Sequence, residues 1–268
     1  MKKKSISRYL NAQKFDWLLT DNGLYLGAAE HQSDKDEGKY DYTYLSRLIA
    51  ENVPDPSPEL IQAADKFQLD MQNFKRTDSY LSCWYLGAEE SQAMWDEYGE
   101  NGVLIVSDTW TLQDTLPDPL GHAARFCEIT YDDELKALAV LEPLLVKNLK
   151  FANEREFRFI FDLTNYSVLT GFEARCIVYI GDTPSYLDES TTAGMSKEGM
   201  AQSHKVIRRK GAGLVLEYAL NLLIKEVRLH PAATDQELHE VERRLREKNI
   251  KCPVCHSSLR PTSQNSQV

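Results

Sequence analysis

The first three predicted elements lie in the stretch Ser5–Leu26, which reads SISRYLNAQKFDWLLTDNGLYL. Residues Ser5–Tyr9 predict a strand, and Leu24–Leu26 predict a second one. Between them, apolar residues at helical spacing predict a helix over Asn11–Asn22, which Gly23 ends. A strand, a helix and a strand therefore follow one another closely.

Along the rest of the chain, predicted helices and strands alternate irregularly. Helices are predicted over Tyr42–Asn52, Pro58–Lys75, Glu90–Tyr98 and Thr234–Lys248. Strands are predicted over Asp78–Leu86, Gly102–Ser107, Ala123–Tyr131, Arg155–Asp162, Ala174–Ile180, Gly213–Leu216, Glu226–Leu229 and Val254–Leu259. The Ser/Thr/Gly-rich stretch Thr183–Gln202 predicts a surface loop. Because no regular β-α-β repeat emerges, we expect an α+β fold with a mixed, mostly antiparallel sheet and flanking helices.

The 268 residues show no internal repeat and no long linker. We therefore expect one domain over residues 1–260, followed by a polar C-terminal tail over residues 261–268.

The composition limits the class of protein. There are 31 Lys and Arg residues against 41 Asp and Glu residues, a net charge of −10, which argues against a sequence-independent nucleic-acid coat. No apolar run approaches the roughly 20 residues of a membrane helix, and no apolar signal core follows the basic start. Five scattered cysteines do not predict a disulfide framework. We expect a cytoplasmic protein that does not associate with a membrane.

The segment Asn153–Asp162 is the most informative one for chemistry. Read as a strand, it points three phenylalanines into a core and places Glu154, Glu156 and Arg158 together on the opposite face. Two carboxylates backed by an aromatic layer can position a substrate hydroxyl and stabilise a developing cation. The alternative is a solvated strand face with Glu–Arg pairs.

Aromatic residues near the middle of the chain form a second candidate. Ser82 and Trp84 lie on a predicted strand, and Trp95 and Tyr98 lie on one side of the helix that follows. Aromatic surfaces of this kind can hold a planar ring such as nicotinamide or adenine. The alternative is an ordinary core at helical spacing.

Two further groups bear on metal binding. The acidic stretch Asp34–Gly38 has carboxylates suited to Mg²⁺ or Ca²⁺, but it lacks the EF-hand pattern and predicts a solvated loop. Cys252 and Cys255 lack the second cysteine pair of a zinc ribbon and the export signal of a haem protein. We therefore do not favour a metal.

Short motifs follow one another along almost the whole chain. They are Arg8-Tyr9, Leu24-Tyr25-Leu26, Asp34 with Glu37-Gly38, Ser82-Cys83-Trp84, Glu90-Ser91 with Met94-Trp95 and Tyr98, Lys150-Phe151, Glu154-x-Glu156-x-Arg158, Val227 with His230-Pro231, and Ser258. In this order they resemble the bacterial domain-of-unknown-function family 2971. The resemblance implies a bacterial or phage protein of the cytoplasm, and it implies no reaction.

A further similarity concerns ADP-ribosyltransferases, in which an early Arg, a middle Ser/aromatic strand and a late Glu follow in this order. By this analogy Glu156 and Arg8 are the catalytic candidates, with Glu156 stabilising an oxocarbenium-like transition state and Arg8 holding the phosphates of NAD. The expected substrate and cofactor contacts come from Tyr9, Ser82, Trp84, Trp95, Tyr98, Glu154 and Arg158. The analogy rests on motif order alone.

Three hypotheses follow. The first is an NAD-using ADP-ribosyltransferase-like enzyme, a toxin or phage-conflict effector, whose partners are a nucleotide and a nucleic-acid or protein acceptor. The second is a metal-dependent nuclease that uses Asp34, Glu37 and Glu154. The third is a non-enzymatic binding module in which these residues are structural.

Overall fold

The computed structural model describes residues 2–133, 142–173, 176–180, 183–186 and 196–261. Within these ranges, ten strands form a mixed, mostly antiparallel sheet that is accompanied by helices. The predicted α+β class is confirmed. No helix in the described ranges is long and apolar enough to cross a membrane.

The helices, including short ones, alternate with the strands along the chain. The α-helices are α1 (Ala12–Asp21), α2 (Tyr44–Asn52), α3 (Pro58–Asp78), α4 (Gln92–Tyr98), α5 (Thr109–Asp114), α6 (Asp118–Gly121), α7 (Leu163–Thr170), α8 (Lys197–Lys205), α9 (Leu220–Leu223) and α10 (Asp235–Glu247). Two 3-10 helices cover Ala29–His31 and Leu149–Glu154.

The strands are mostly short. They are β1 (Ser5–Leu10), β2 (Gly23–Ala28), β3 (Ser79–Leu86), β4 (Val103–Asp108), β5 (Ala124–Glu128), β6 (Thr130–Tyr131), β7 (Val146–Lys147), β8 (Glu156–Asp162), β9 (Cys176–Ile180), β10 (Thr183–Tyr186), β11 (Ile207–Lys210), β12 (Gly213–Glu217), β13 (Glu226–Leu229) and β14 (Val254–His256).

The chain divides into two compact units, and each is made of several segments. Unit 1 contains residues 1–25, 83–117 and 215–268, and unit 2 contains residues 26–82 and 118–214.

Unit 1 is built around β1 and β4, which pair antiparallel over their full length. β13 pairs antiparallel with β4 and parallel with β14. Gly102 precedes β4 where a Cβ atom would lie 1.9 Å from the Leu10 carbonyl oxygen, so only glycine allows this close approach. Two helices of unit 1 have side-chain caps at their N-termini: Asn11 accepts from Lys14 N–H in α1, and Thr234 and Glu237 form a capping box in α10.

Unit 2 contains the antiparallel pair β5–β8 and the long helix α3. Ser57 caps α3 by accepting from Leu60 N–H at 3.2 Å, and Pro58 fills the first turn. Phe157, Phe159 and Phe161 of β8 are 0% exposed, as the alternating pattern predicted. The Phe159 ring stacks on Phe126 of β5, with 4.7 Å between ring centroids.

Three predicted elements differ from the structure. The strand predicted over Ala123–Tyr131 is two strands, because Ile129 between them donates its N–H to Glu156 O and β6 then pairs with β7. The strand predicted to Leu259 ends at His256, where a turn closed by Arg260 N–H and Ser257 O begins.

The third difference concerns the loop predicted over Thr183–Gln202. Its start is strand β10, which pairs with β9, and its end belongs to α8, whose first turn is capped by the Ser196 side chain. Residues 187–195 lie outside the described ones, as do residues 262–268 of the predicted tail.

Candidate functional site

Five charged side chains of unit 2 form one buried cluster, which we call the carboxylate network. Its residues come from four places: the loop before α2, the end of β7, the end of the second 3-10 helix, and β8. They are Glu37, Lys147, Glu154, Glu156 and Arg158, and each is at most 9% exposed. Buried charges require partners, and here they partner each other.

Lys147 joins the two carboxylates that the sequence paired. Its Nζ donates to Glu154 Oε2 at 2.5 Å and to Glu156 Oε1 at 2.5 Å. The same ammonium lies 4.4 Å from the centroid of the Phe151 ring. The backbone reaches this arrangement through Arg155, which adopts a left-handed conformation with φ 40° between the 3-10 helix and β8. Glu154 therefore precedes the strand instead of lying on it.

Arg158 is the centre of the network and is 0% exposed. Its Nε donates to Glu156 Oε2 at 2.5 Å, and its Nη1 and Nη2 donate to the two oxygens of Glu37 at 2.6 and 2.8 Å. Nη1 also donates to Leu144 O at 2.9 Å. The solvated-face interpretation is wrong for this strand, because Glu156 and Arg158 are buried, although they do form the Glu–Arg pair that it included.

The two neighbouring carboxyls have opposite pKa shifts. Burial and a hydrogen bond with Glu156 raise the pKa of Glu154. Burial also opposes the ionisation of Glu156, but the charges of Arg158 and Lys147 outweigh it and hold the pKa of Glu156 well below its usual range. With two cations and three carboxylates, the fully ionised network carries 2 − 3 = −1. A proton on Glu154 neutralises this charge. Because Glu154 and Glu156 share a hydrogen bond and the partner Lys147, the two carboxyls titrate as a coupled pair.

The acidic loop Asp34–Gly38, predicted to be solvated, has one buried carboxylate, that of Glu37. Its side chain is 3% exposed instead of solvated. Arg76 of α3 donates from Nε to the Glu37 carbonyl oxygen at 2.8 Å, and Gly38 follows in a left-handed conformation with φ 70°. The loop is thereby held so that the carboxylate meets Arg158.

The carboxylates of the nuclease hypothesis are engaged elsewhere. Glu37 binds Arg158, Glu154 binds Lys147, and Asp34 Oδ1 accepts from the Asp36 N–H at 3.0 Å. Over the ranges that the structure describes, no three His, Cys, Asp or Glu side chains are grouped so as to hold a metal ion. Cys255 Sγ instead lies 3.6 Å from Glu226 Oε1.

The predicted aromatic residues Tyr9, Trp84, Trp95 and Tyr98 lie in unit 1, and all are buried except Tyr98, which is half-buried. Tyr9 and Trp95 are 5% and 0% exposed and meet edge-to-face at 5.0 Å in a core cluster, against which Tyr98 packs. Trp84 is 1% exposed, with the Arg8 guanidinium 5.9 Å from its ring centroid. These rings therefore lie against protein, as the core interpretation expects.

The remaining two predicted site residues, Arg8 and Ser82, lie in different units. Arg8 donates from Nη2 to Tyr25 O at 3.3 Å, and burial lowers its pKa to about 10. Ser82 lies on β3 within unit 2 and is 0% exposed. The structure therefore joins Glu154, Glu156 and Arg158 in one cluster within unit 2, and it joins Tyr9 with Trp95 and Arg8 with Trp84 within unit 1.

A second buried carboxylate, Glu90, connects several of the quoted motifs in unit 1. It accepts from Trp95 Nε1 at 3.0 Å, from Ser258 N–H at 2.8 Å and from the Ser257 hydroxyl. Arg228 Nη1 lies 3.5 Å away. Burial opposes its ionisation, but these hydrogen bonds outweigh burial and lower the pKa of Glu90. Glu90 therefore attaches the C-terminal segment to the start of α4.

The sequence did not identify Lys147 as a member of the site, and it predicted Glu37 as part of a solvated loop or as a metal ligand of a nuclease. The only signal for Lys147 is a single lysine after the apolar residues Leu144–Val146, and the only signal for Glu37 is an acid directly before a glycine. Tyr131 was also missed; its Oη accepts the Glu156 N–H at 2.7 Å.

Comparison of the chain with models of protein families, with curated proteins and with solved structures gave no significant match.

Proposed function

We propose that this protein is an ADP-ribosyltransferase-like enzyme that cleaves the N-glycosidic bond of NAD at the Glu154–Glu156 pair. The observation that carries the proposal is the unequal pair itself: two adjacent carboxyls, bridged by Lys147, with opposite pKa shifts. Carboxyls whose environments drive their pKa values apart are typical of acid–base sites.

The charge of the network suits this reaction. When the bond between ribose C1′ and nicotinamide N1 breaks, its electron pair leaves with nicotinamide, and the ribosyl group gains positive charge. An acceptor then bonds to C1′ and loses its proton to a carboxylate. With Glu154 ionised, the net charge of −1 stabilises the cation, and Glu154 can then take the proton, because its side chain, 11% exposed, is the most accessible of the three acids.

Each residue of the network has a distinct role in this scheme. Glu156 is the inner carboxylate, kept ionised by Lys147 and Arg158. Glu37 holds Arg158 in place and is a positioning residue. The assignment of Arg8 to the NAD phosphates rests on the analogy and stays a prediction, as do cytoplasmic action and a role as a toxin or phage-conflict effector.

The test is release of nicotinamide from NAD, measured by chromatography with water, protein and nucleic acid offered as acceptors. Glu154→Gln and Glu156→Gln are expected to lower the rate at least about 100-fold. Glu142→Gln is the matched control, because Glu142 is 41% exposed and pairs with Arg125 at the surface. A folded wild-type protein that neither binds NAD nor releases nicotinamide contradicts the proposal.

One observation favours a second candidate, a non-enzymatic binding module. Every charged group of the network has a charged partner within 2.6 Å, which is also what a structural cluster requires. For this candidate, a folded Glu156→Gln variant is expected to retain the biological effect of the wild type. Loss of that effect with an unchanged melting temperature contradicts it.

A further inference from the structure

Three exposed lysines of unit 1 are held beside one buried acid, Asp108, and we call them the lysine patch. They are Lys2, Lys3 and Lys225. Lys3 Nζ lies 3.6 Å from Asp108 Oδ2, and the Lys225 ammonium donates to the same oxygen. The Asp108 side chain is only 6% exposed, so the ammonium groups are the accessible charges. The lysine patch is therefore a local cationic surface on a chain of net charge −10.

Backbone hydrogen bonds hold these lysines at the start of helix α5. Thr109, the first residue of α5, donates its N–H to Lys4 O at 2.9 Å and its hydroxyl to Lys2 O at 3.3 Å. Lys225 donates its N–H to Val106 O of β4 at 2.9 Å. Because the backbone is already fixed, an anion that binds here has to order only the lysine side chains.

Trp110 provides an aromatic surface next to the lysine patch. Its N–H donates to Asp108 Oδ1 at 3.0 Å, while Lys3 and Lys225 contact Oδ2 of the same carboxylate. Trp110 is 49% exposed, so a large part of its side chain is accessible. A nucleobase can stack on an accessible aromatic ring while ammonium groups contact the neighbouring phosphates.

We propose that the lysine patch and Trp110 bind single-stranded nucleic acid. The lysines contact up to three phosphates and the indole stacks on one base, which requires no particular sequence. Charge complementarity restricts the contact to this patch, because the acidic remainder of the chain repels a polyanion. A membrane-binding surface combines its cations with a wide apolar face, and an acidic peptide has no base to stack. This proposal is independent of the proposed function.

The first test is fluorescence anisotropy of labelled oligothymidylate, about 12 nucleotides long, titrated with the full chain. The Kd is expected to lie below about 100 μM at about 50 mM salt. Each phosphate contact contributes about 0.7 to the slope of log affinity against log salt, so three lysines predict a slope of about −2. Lys2→Gln and Lys3→Gln should each reduce its magnitude by about 0.7. Lys66→Gln is the control, because it changes the net charge equally at a side chain in unit 2 that is 74% exposed.

The second test concerns the aromatic ring. Trp110→Leu removes stacking but keeps an apolar side chain, so it is expected to weaken binding at least about fivefold with an unchanged salt slope. Leu222→Gln is the control for loss of exposed apolar surface, because Leu222 is 58% exposed in the same unit and is not aromatic. It should leave binding unchanged. Circular dichroism establishes that each variant is folded.

Polyglutamate and phosphatidylserine vesicles are the competing ligands, since both are anionic and neither has a base. The wild type is expected to bind both more weakly than oligothymidylate, and Trp110→Leu should not change that binding. The proposal is overturned by a wild type that does not bind oligothymidylate at about 100 μM protein and about 50 mM salt. Binding that Trp110→Leu leaves intact, or equal binding of polyglutamate or vesicles, also overturns it.

Discussion

Arg158 donates to both carboxylate oxygens of Glu37, at 2.6 and 2.8 Å, although the two residues are 121 positions apart in the chain. Neither side chain is more than 3% exposed. The pair connects the loop before α2 to strand β8. The carboxylate network is therefore complete only when these two parts of unit 2 are folded together.

Glu37→Gln is expected to lower the free energy of unfolding by about 3 kcal/mol. The change leaves the buried Arg158 guanidinium without its bidentate partner, and breaking a buried pair in this way is costly. The measurement is urea unfolding at neutral pH. Asp36→Asn, at an adjacent side chain that is 77% exposed, is the control and should change stability by less than about 0.5 kcal/mol.

Removal of both charges provides the check on this explanation. Arg158→Met combined with Glu37→Gln should cost less than the sum of the single changes, because the two residues interact directly. Strictly additive losses would show that the ion pair is not the cause.

Lys147→Met is expected to destabilise the protein more at pH 8 than at pH 5. Without the ammonium, Glu154 and Glu156 face each other in a buried site, and the folded-state pKa of the pair rises above its unfolded value. Protonation then relieves the repulsion, so stability is lost as pH increases through the raised pKa. Denaturant unfolding at both values measures this, and an equal loss at both contradicts it.

Asp108 should contribute stability that disappears in acid. It caps α5 by accepting from Trp110 and Thr111 N–H groups, and it pairs with Lys225. Burial opposes its ionisation, but these contacts outweigh burial and lower the pKa of Asp108 to about 2. Because the folded pKa lies below the ordinary value of 3.8 for Asp, the contribution is present above that value and is lost as pH falls toward 2.

Asp108→Ala should therefore cost roughly 1–2 kcal/mol at pH 7 and much less at about pH 2. The exposed residue Asp114, at the other end of α5, supplies the control Asp114→Ala. Thermal unfolding over this pH range is the measurement, and a cost that does not change with pH would show that the ionised form of Asp108 is not the source of its contribution.

Glu90→Gln is expected to loosen the C-terminal segment without unfolding unit 1. The amide group of glutamine cannot accept from Trp95, Ser257 and Ser258 with both of its terminal atoms. Faster hydrogen exchange at Ser258, together with a shifted indole signal of Trp95, would report the change. Glu97→Gln, on the exposed side of α4, should leave both signals unchanged.

Periodicity in the sequence predicted the parts of the fold that depend on local pattern. Phe157, Phe159 and Phe161 alternate, so their common burial follows from strand geometry. Met94 and Trp95 belong to a core cluster at helical spacing, as the core interpretation expected. The paired carboxylates of the Glu-x-Glu motif were also identified, because their spacing is visible in the chain itself.

The partners of those carboxylates were not predictable in the same way. Glu37 and Lys147 reach Glu156 and Arg158 only through tertiary structure, and a single acid or lysine has no periodic signal. The end of the strand predicted to Tyr131 was missed for a related reason. It depends on a hydrogen bond between Ile129 N–H and Glu156 O, which are distant in the sequence.

The discontinuous make-up of the two units affects the order in which they can fold during synthesis. When the ribosome has added residue 214, both segments of unit 2 exist, but unit 1 still lacks β13, β14 and α10. Strand β4 then has β1 on one side and an unpaired edge on the other until β13 is made. Unit 2 can therefore complete its core first, and β13 and β14, which are translated after it, complete the sheet of unit 1.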